Sequence, residues 1–210
     1  MPTVLTFGDS NTHGTPPIVD RTVYARFDAA TRWPPRMAQQ LGWDLVEAGL
    51  PGRTAQFNDP VMGAHMNGQA GLKIALESHG PLDILVLMLG TNDVKARFGA
   101  GPEMVVGGIA SLLDIAQGVE MQTRHGGFQI LLICPPPVVE VGPIKAEFYG
   151  GAAKSKGLPA PMAALAAARG VGFLDAGRVI SVSLIDGVHY DAQSHAVLAR
   201  SVAGALRGMV

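Results

Sequence analysis

Ser10, Asp186 and His189 are the residues of this chain whose types and setting fit nucleophilic catalysis. Ser10 closes Gly8-Asp9-Ser10, directly behind an apolar run that ends at Phe7. A small residue there permits a tight turn. A serine at the mouth of a following helix presents its hydroxyl to solvent, beside free backbone N–H groups that favour developing negative charge. Asp186-Gly187-Val188-His189 sets carboxylate and imidazole three residues apart, so one loop can deliver both. A neutral imidazole, with an ordinary pKa near ~6.5, takes a serine proton at neutral pH, and a carboxylate fixes its tautomer and stabilises the imidazolium. Singly, each block has a plainer reading: a turn with a capping serine, and a turn before a helix start.

Two further blocks could serve the same reaction. In Gly90-Thr91-Asn92-Asp93 the Asn92 carboxamide can donate to an oxyanion, whereas Asp93 reads as the cap of the next helix. In Gly49-Leu50-Pro51-Gly52-Arg53-Thr54, Gly52 can bring a backbone N–H to that oxyanion; alone the block is a glycine-rich turn. Asn11, His13, Thr91 and Val188 adjoin these residues and are candidate substrate contacts. His65, His79, His125 and His195 have no carboxylate in so suggestive a setting, and His195 reads as a packed or capping histidine. The spacing of Asp186, His189, Asp191 and His195 matches no metal-ligand motif, so no metal is expected. Cys134, the one cysteine, ends a strand and reads as a buried structural thiol. Trp33, Phe57, Met62, Met66 and Phe148 suit an acyl pocket, a subunit contact or ordinary packing.

These residues must be positioned by a parallel sheet. Short apolar runs alternate with amphipathic stretches, the pattern of βαβ units. Strands are expected at Val4–Phe7, Leu45–Ala48, Ile84–Leu89, Ile130–Cys134 and Gly172–Leu174, the third and fourth forming the centre as continuous apolar runs. Helices are expected after Pro34-Pro35, from the Asn67 cap to Gly80-Pro81, from Pro102 through Val105, Ile109, Leu112 and Ala116, over Met162–Arg169, and over Ala192–Leu206. Segments 11–32, 55–66 and 135–143 lack periodicity, and each follows a strand, where function in open α/β sheets gathers.

The 210 residues suit one domain with a substantial core. With 48% hydrophobic and 16% charged residues and a mean hydropathy of +0.25, the balance is apolar enough to supply subunit contacts, and a homo-oligomer is expected. A formal net charge of -1 without a dense Lys/Arg run sets nucleic-acid binding aside. The opening residues lack the basic start of a signal peptide, and no apolar stretch spans a membrane. A cytoplasmic location is the expectation, in keeping with the lone cysteine. No Walker-type lysine or Gly-x-Gly-x-x-Gly turn follows a strand, so no cofactor is expected.

Together the four blocks resemble the SGNH hydrolases, also called GDSL esterases, whose signatures are Gly-Asp-Ser, a glycine loop, Gly-x-Asn-Asp and Asp-x-x-His in this order. The resemblance implies a three-layer α/β/α sandwich on a five-stranded parallel sheet, flavodoxin-like in outline. It implies Ser10 as nucleophile and first oxyanion donor, Gly52 and Asn92 as the other donors, and Asp186 with His189 completing a triad. Phe7-Gly8-Asp9-Ser10, Gly49 to Thr54, Met88 to Lys95 and Asp186 to His189 are similar to the bacterial arylesterase/acyltransferase branch. Members act on short acyl esters, aryl and sugar acetates among them, and some assemble as octamers. Asn11-Thr12-His13-Gly14-Thr15 departs from the acyltransferase pattern, which carries tryptophans and a leucine there, and Gly52 replaces a common alanine. The resemblance therefore implies a hydrolase of small-molecule esters, with acyl transfer to alcohols as a side activity. A non-catalytic binding module on this fold, and a thioesterase or peptidase using the same triad, are the alternatives.

Overall fold

A computed structural model describes residues 1–209 of the protein. Five strands, β1 (Thr3–Gly8), β2 (Asp44–Gly49), β3 (Ile84–Met88), β4 (Gln129–Cys134) and β5 (Gly172–Asp175), form one sheet in the order β2-β1-β3-β4-β5. Every pairing is parallel. All five lie within a residue of the expected positions at either end. The centre differs slightly: β3 is central, with β1 and β4 on either side of it, so β1 is as interior as β4. Thr6 within β1 hid this, because it interrupts the apolar run yet is fully buried, its hydroxyl donating to Val46 O at 3.4 Å.

Among the described residues eight α-helices lie between or after the strands: α1 (Ser10–His13), α2 (Trp33–Leu41), α3 (Gly68–Ser78), α4 (Pro102–Gln117), α5 (Val119–His125), α6 (Gly151–Lys156), α7 (Pro159–Arg169) and α8 (Ala192–Arg207). The expected end chemistry is present. Proline fills the first turn of α2, α4 and α7, and the Asn67 side chain accepts from Gln69 N to cap α3. Asp191 caps α8 by accepting from Ser194 N at 2.7 Å. Two short helices, α5 and α6, were not legible, since fewer than two turns give periodicity too little length to register, while the helix expected to follow Ser10 is the four-residue α1.

Alternation along the strands builds the two outer layers. Leu5, Phe7, Leu85, Leu87, Ile130 and Leu132 pack with Leu72 and Leu76 of α3, Val105, Ile109 and Leu112 of α4, and Met162 of α7. Val4, Ile84, Val86, Met88, Leu131 and Ile133 pack with Trp33 and Met37 of α2 and with Leu198, Val202 and Leu206 of α8. Each leucine or valine so buried contributes about 1.5–3 kcal/mol. The sheet is thus covered on both faces, as parallel sheets require. Among the described residues no single helix is long and apolar enough to cross a membrane.

Candidate functional site

Chemistry-bearing side chains gather where β1, β2 and β3 end, and the first is set by the turn from β1 into α1. Asp9 accepts from Asn11 N at 2.9 Å and caps α1, which closes at Gly14 with φ 90°. Ser10 is the first residue of that helix. A Cβ on Gly8 would overlap the Thr12 hydroxyl, and one on Gly49 would overlap His13 N. The turn packs down on the strand ends only because both positions are glycine.

The loop before α8 returns to this point. His189 Nε2 lies 3.0 Å from Ser10 Oγ, and His189 Nδ1 lies 2.6 Å from Asp186 Oδ2. Asp186 is fully buried and heavily hydrogen-bonded: Oδ1 accepts from Val188 N and His189 N, each at 3.0 Å, and Oδ2 also accepts from Ile18 N at 2.7 Å. Burial opposes its ionisation, but the hydrogen bond and charge of His189, with the N–H of Ile18, hold its carboxyl below the usual range. An ionised Asp186 keeps the imidazole proton on Nδ1 and leaves Nε2 free to accept from Ser10. The loop follows this path because Gly187, at φ 74°, has no side chain to overlap Val139 O, and Val139 N donates to Gly187 O at 2.8 Å.

Gly52 and Asn92 line the same cavity as Ser10. Among the described residues the backbone N–H groups of Ser10 and Gly52 meet no acceptor. Asn92 donates through Nδ2 to Arg53 O at 3.1 Å, with a longer 3.4 Å contact to Asp9 Oδ2. Gly52 adopts φ 91°, and a Cβ there would come within 2.6 Å of Met62. All three residues line a cavity of about 870 Å³ that also contains His189.

The model of the GDSL-like Lipase/Acylhydrolase family matches residues 6–197. The chain belongs to this family. A carbohydrate acetylesterase from Sinorhizobium meliloti shares 35% identity with a TM-score of 0.92, and the aryl esterase of M. smegmatis shares 34% with a TM-score of 0.90. Each match covers 100% of both chains. No curated protein sequence matches. The four sequence blocks are thus those of an SGNH hydrolase, a carboxylic ester hydrolase, and the fold is the one the resemblance implied.

Within this esterase frame, two candidate substrate contacts stand elsewhere. His13 and Val188 line the cavity, but Asn11 and Thr91 do not. Asn11 is buried, with Nδ2 donating to Val188 O at 3.1 Å and Oδ1 accepting from Tyr190 N at 3.3 Å. Thr91 is buried and hydrogen-bonds Asp9. Both are spent on internal polar groups, which must be paired once water is excluded. Asp93 does not cap a helix either. Its carboxylate accepts from Ala55 N at 2.8 and 3.1 Å, and burial pushes its pKa up to about 7.

Several contributors were missed. Arg53, inside the glycine loop, stacks on Phe7 with its guanidinium 4.0 Å from the ring centroid and donates to Gly8 O at 3.0 Å and to Ala48 O. It thereby ties the ends of β1 and β2 together. Burial lowers its pKa to about 10. Ile18 holds Asp186 through its backbone N–H, which no sequence pattern marks, and it also lines the cavity. His195 packs inside α8, accepts from Trp33 N at 3.2 Å and is pushed down to about 4 by burial, so it stays neutral. Cys134 is buried, its thiol pushed up to about 12. Trp33, Met66 and Phe148 are buried, and of these Phe148 also meets the cavity, as does Met62. Phe57 stacks on Phe98 at 4.9 Å. Among the described residues no three His, Cys, Asp or Glu side chains converge as metal ligands would.

Proposed function

We propose that the protein is a serine esterase for short acyl esters, acetates of aryl alcohols or sugars among them, working through an acyl-Ser10 intermediate. The observation that carries this reading is the 3.0 Å contact of Ser10 Oγ with an imidazole whose other nitrogen is held by a buried carboxylate. His189 removes the Ser10 proton as Oγ attacks the ester carbonyl. The resulting oxyanion accepts from Ser10 N–H, Gly52 N–H and the Asn92 carboxamide. Asn92 turns its loosely held proton from Asp9 to the oxyanion. His189 then protonates the departing alkoxide. Water activated by the same imidazole releases the acid, and an alcohol in its place gives acyl transfer.

The substrate class is supported by the relatives: the solved structures that match over the whole chain carry the names carbohydrate acetylesterase and aryl esterase. Val19, Val23 and Tyr24, exposed at 77%, 63% and 97%, stand around the cavity mouth and supply an apolar face for a homo-oligomer. A monomeric mass in light scattering at micromolar concentration removes that part of the reading.

The test of mechanism is labelling by an organophosphonate, with peptide mass mapping, alongside turnover of p-nitrophenyl acetate. Modification of Ser10 in step with loss of activity is the expected result. Activity surviving in pure Ser10→Ala protein overturns it. A panel of acetyl, butyryl and long-chain esters, thioesters and peptides tests the acyl class, with acetyl esters expected to lead.

A further inference from the structure

One wall of the cavity that holds Ser10 is ionic, although most of the remaining lining is apolar. Lys95, Arg97 and Arg21 converge there on the single carboxylate of Glu147. Arg21 Nη2 lies 2.7 Å from Glu147 Oε1, and Arg97 Nη2 lies 2.8 Å from Oε2. The two arginines occupy both carboxylate oxygens. Lys95 is left with a contact of 3.6 Å, too long for a full hydrogen bond. Asp59 approaches the far side of the Arg97 guanidinium at 3.5 Å and accepts from Val61 N and Met62 N through its other oxygen. Among the residues that line the cavity, the cations Arg21, Arg26, Lys95 and Arg97 stand against the carboxylates Asp20 and Glu147.

Lys95 is the telling residue. Its side chain is only 6% exposed, and its ammonium is paired with Glu147 by the long 3.6 Å contact. It rests near the Phe148 ring, 5.6 Å from the centroid. Glu147 can serve only one of the three ammonium donors, and a shielded ammonium is costly unless further acceptors complete it. Burial lowers its pKa, while Glu147 and Asp59 act to keep the proton on. Lys95 lines the cavity, so an anionic group on a bound molecule can reach its ammonium.

We infer that this wall is a subsite for an anionic group, a carboxylate on the ester substrate, which pairs with Lys95 and draws on the excess positive charge of Arg97 and Arg21. The inference rests on the esterase reading of the same cavity and adds to it a class of substrate. Neutral acetates fill the apolar part alone. An ester carrying a carboxylate at a distance from its carbonyl fills both. The carboxylate belongs to either the alcohol or the acyl part, and the two are separable by experiment.

Two matched pairs make the test. For the alcohol side, 4-acetoxybenzoate is compared with 4-acetoxybenzamide. For the acyl side, p-nitrophenyl hydrogen adipate is compared with p-nitrophenyl hexanoate. The readout is the ratio of kcat/KM, anionic over neutral, in wild type and in Lys95→Met, because intrinsic reactivity cancels between the two enzymes. A charge-assisted hydrogen bond at a shielded site leads to a fall of about tenfold or more in that ratio for at least one pair. Arg21→Gln, at an exposed position that tolerates change, lowers the same ratio by a smaller factor and guards against misfolding of the Lys95 variant. Ratios in both pairs that agree within about twofold between wild type and both variants overturn the anionic subsite while neutral esters still turn over. Hydrolysis of no ester at all overturns the esterase reading and the subsite with it.

Discussion

Asn11, the residue after Ser10, donates through its side chain to Val188 O at 3.1 Å, while the same carboxamide accepts from Tyr190 N at 3.3 Å. The two backbone groups flank His189. One side chain therefore holds the imidazole loop against the start of α1, and the 3.0 Å separation of Ser10 and His189 depends on it. Trp33 Nε1 steadies the arrangement by donating to Asn11 O at 3.1 Å.

Asn11→Ala is expected to lower kcat by about 10²-fold with little change in KM, because a displacement on the order of 1 Å suffices for such a loss. It also leaves a buried carbonyl and N–H unpaired, at a cost of about 1–3 kcal/mol each. Steady-state kinetics with p-nitrophenyl acetate, and urea unfolding, check the two effects separately.

Asp186→Asn is expected to lower kcat by about 10⁴-fold, since an amide that donates to Nδ1 turns the imidazole into the wrong tautomer. The crystal structure of the variant should be superimposable on the parent. A fall of less than about tenfold contradicts the role given to this carboxylate.

Asn92→Ala is expected to cost about 10²–10³-fold in kcat through loss of one oxyanion donor. Binding of a tetrahedral boronate should weaken by a comparable factor, whereas binding of the acid product should change little.

Gly49→Ala is expected to be severe, because the new Cβ meets the backbone of His13 and not the end of a flexible side chain. Overpacking of this kind costs about 1–3 kcal/mol or more, and here it also lifts α1 from β2. Thermal unfolding and activity should fall together.

Asp93 gives a pH signature. Its native pKa of about 7 lies above the unfolded value near ~3.9, so between these values the native state binds the extra proton. Stability from this group is full below about pH 4 and is lost as pH rises through 7. Asp93→Asn removes that loss, and the stability of the variant relative to wild type should climb from pH 4 to 8 and then level off. Chemical denaturation across that range is the check, and a flat difference contradicts the buried-acid assignment.

Much of this protein is legible in its residue order. Continuous Leu/Ile/Val runs and helix-capping residues are local properties, so the five strands and the five longer helices could be read directly. Gly-Asp-Ser, Gly-x-Asn-Asp and Asp-x-x-His are legible for the same reason: each block does its work within a few residues. Lys95, Arg53 and Ile18 were not legible in role. The first two stood in view inside quoted blocks, but their significance depends on partners across the sheet, at Glu147, Phe7 and Gly8.

The sequence by itself determined the order of the sheet-forming segments and the set of groups able to act on an ester. Periodicity and side-chain chemistry need no partner to be recognised. Only the tertiary structure decided that Asn11 and Thr91 serve internal hydrogen bonds while His13 and Val188 face the cavity. It alone brought Lys95, Arg97 and Arg21 onto Glu147 in the cavity that Ser10 also lines. Those choices depend on which polar groups are left without water when distant segments close on one another, and burial of that kind is a property of the folded chain.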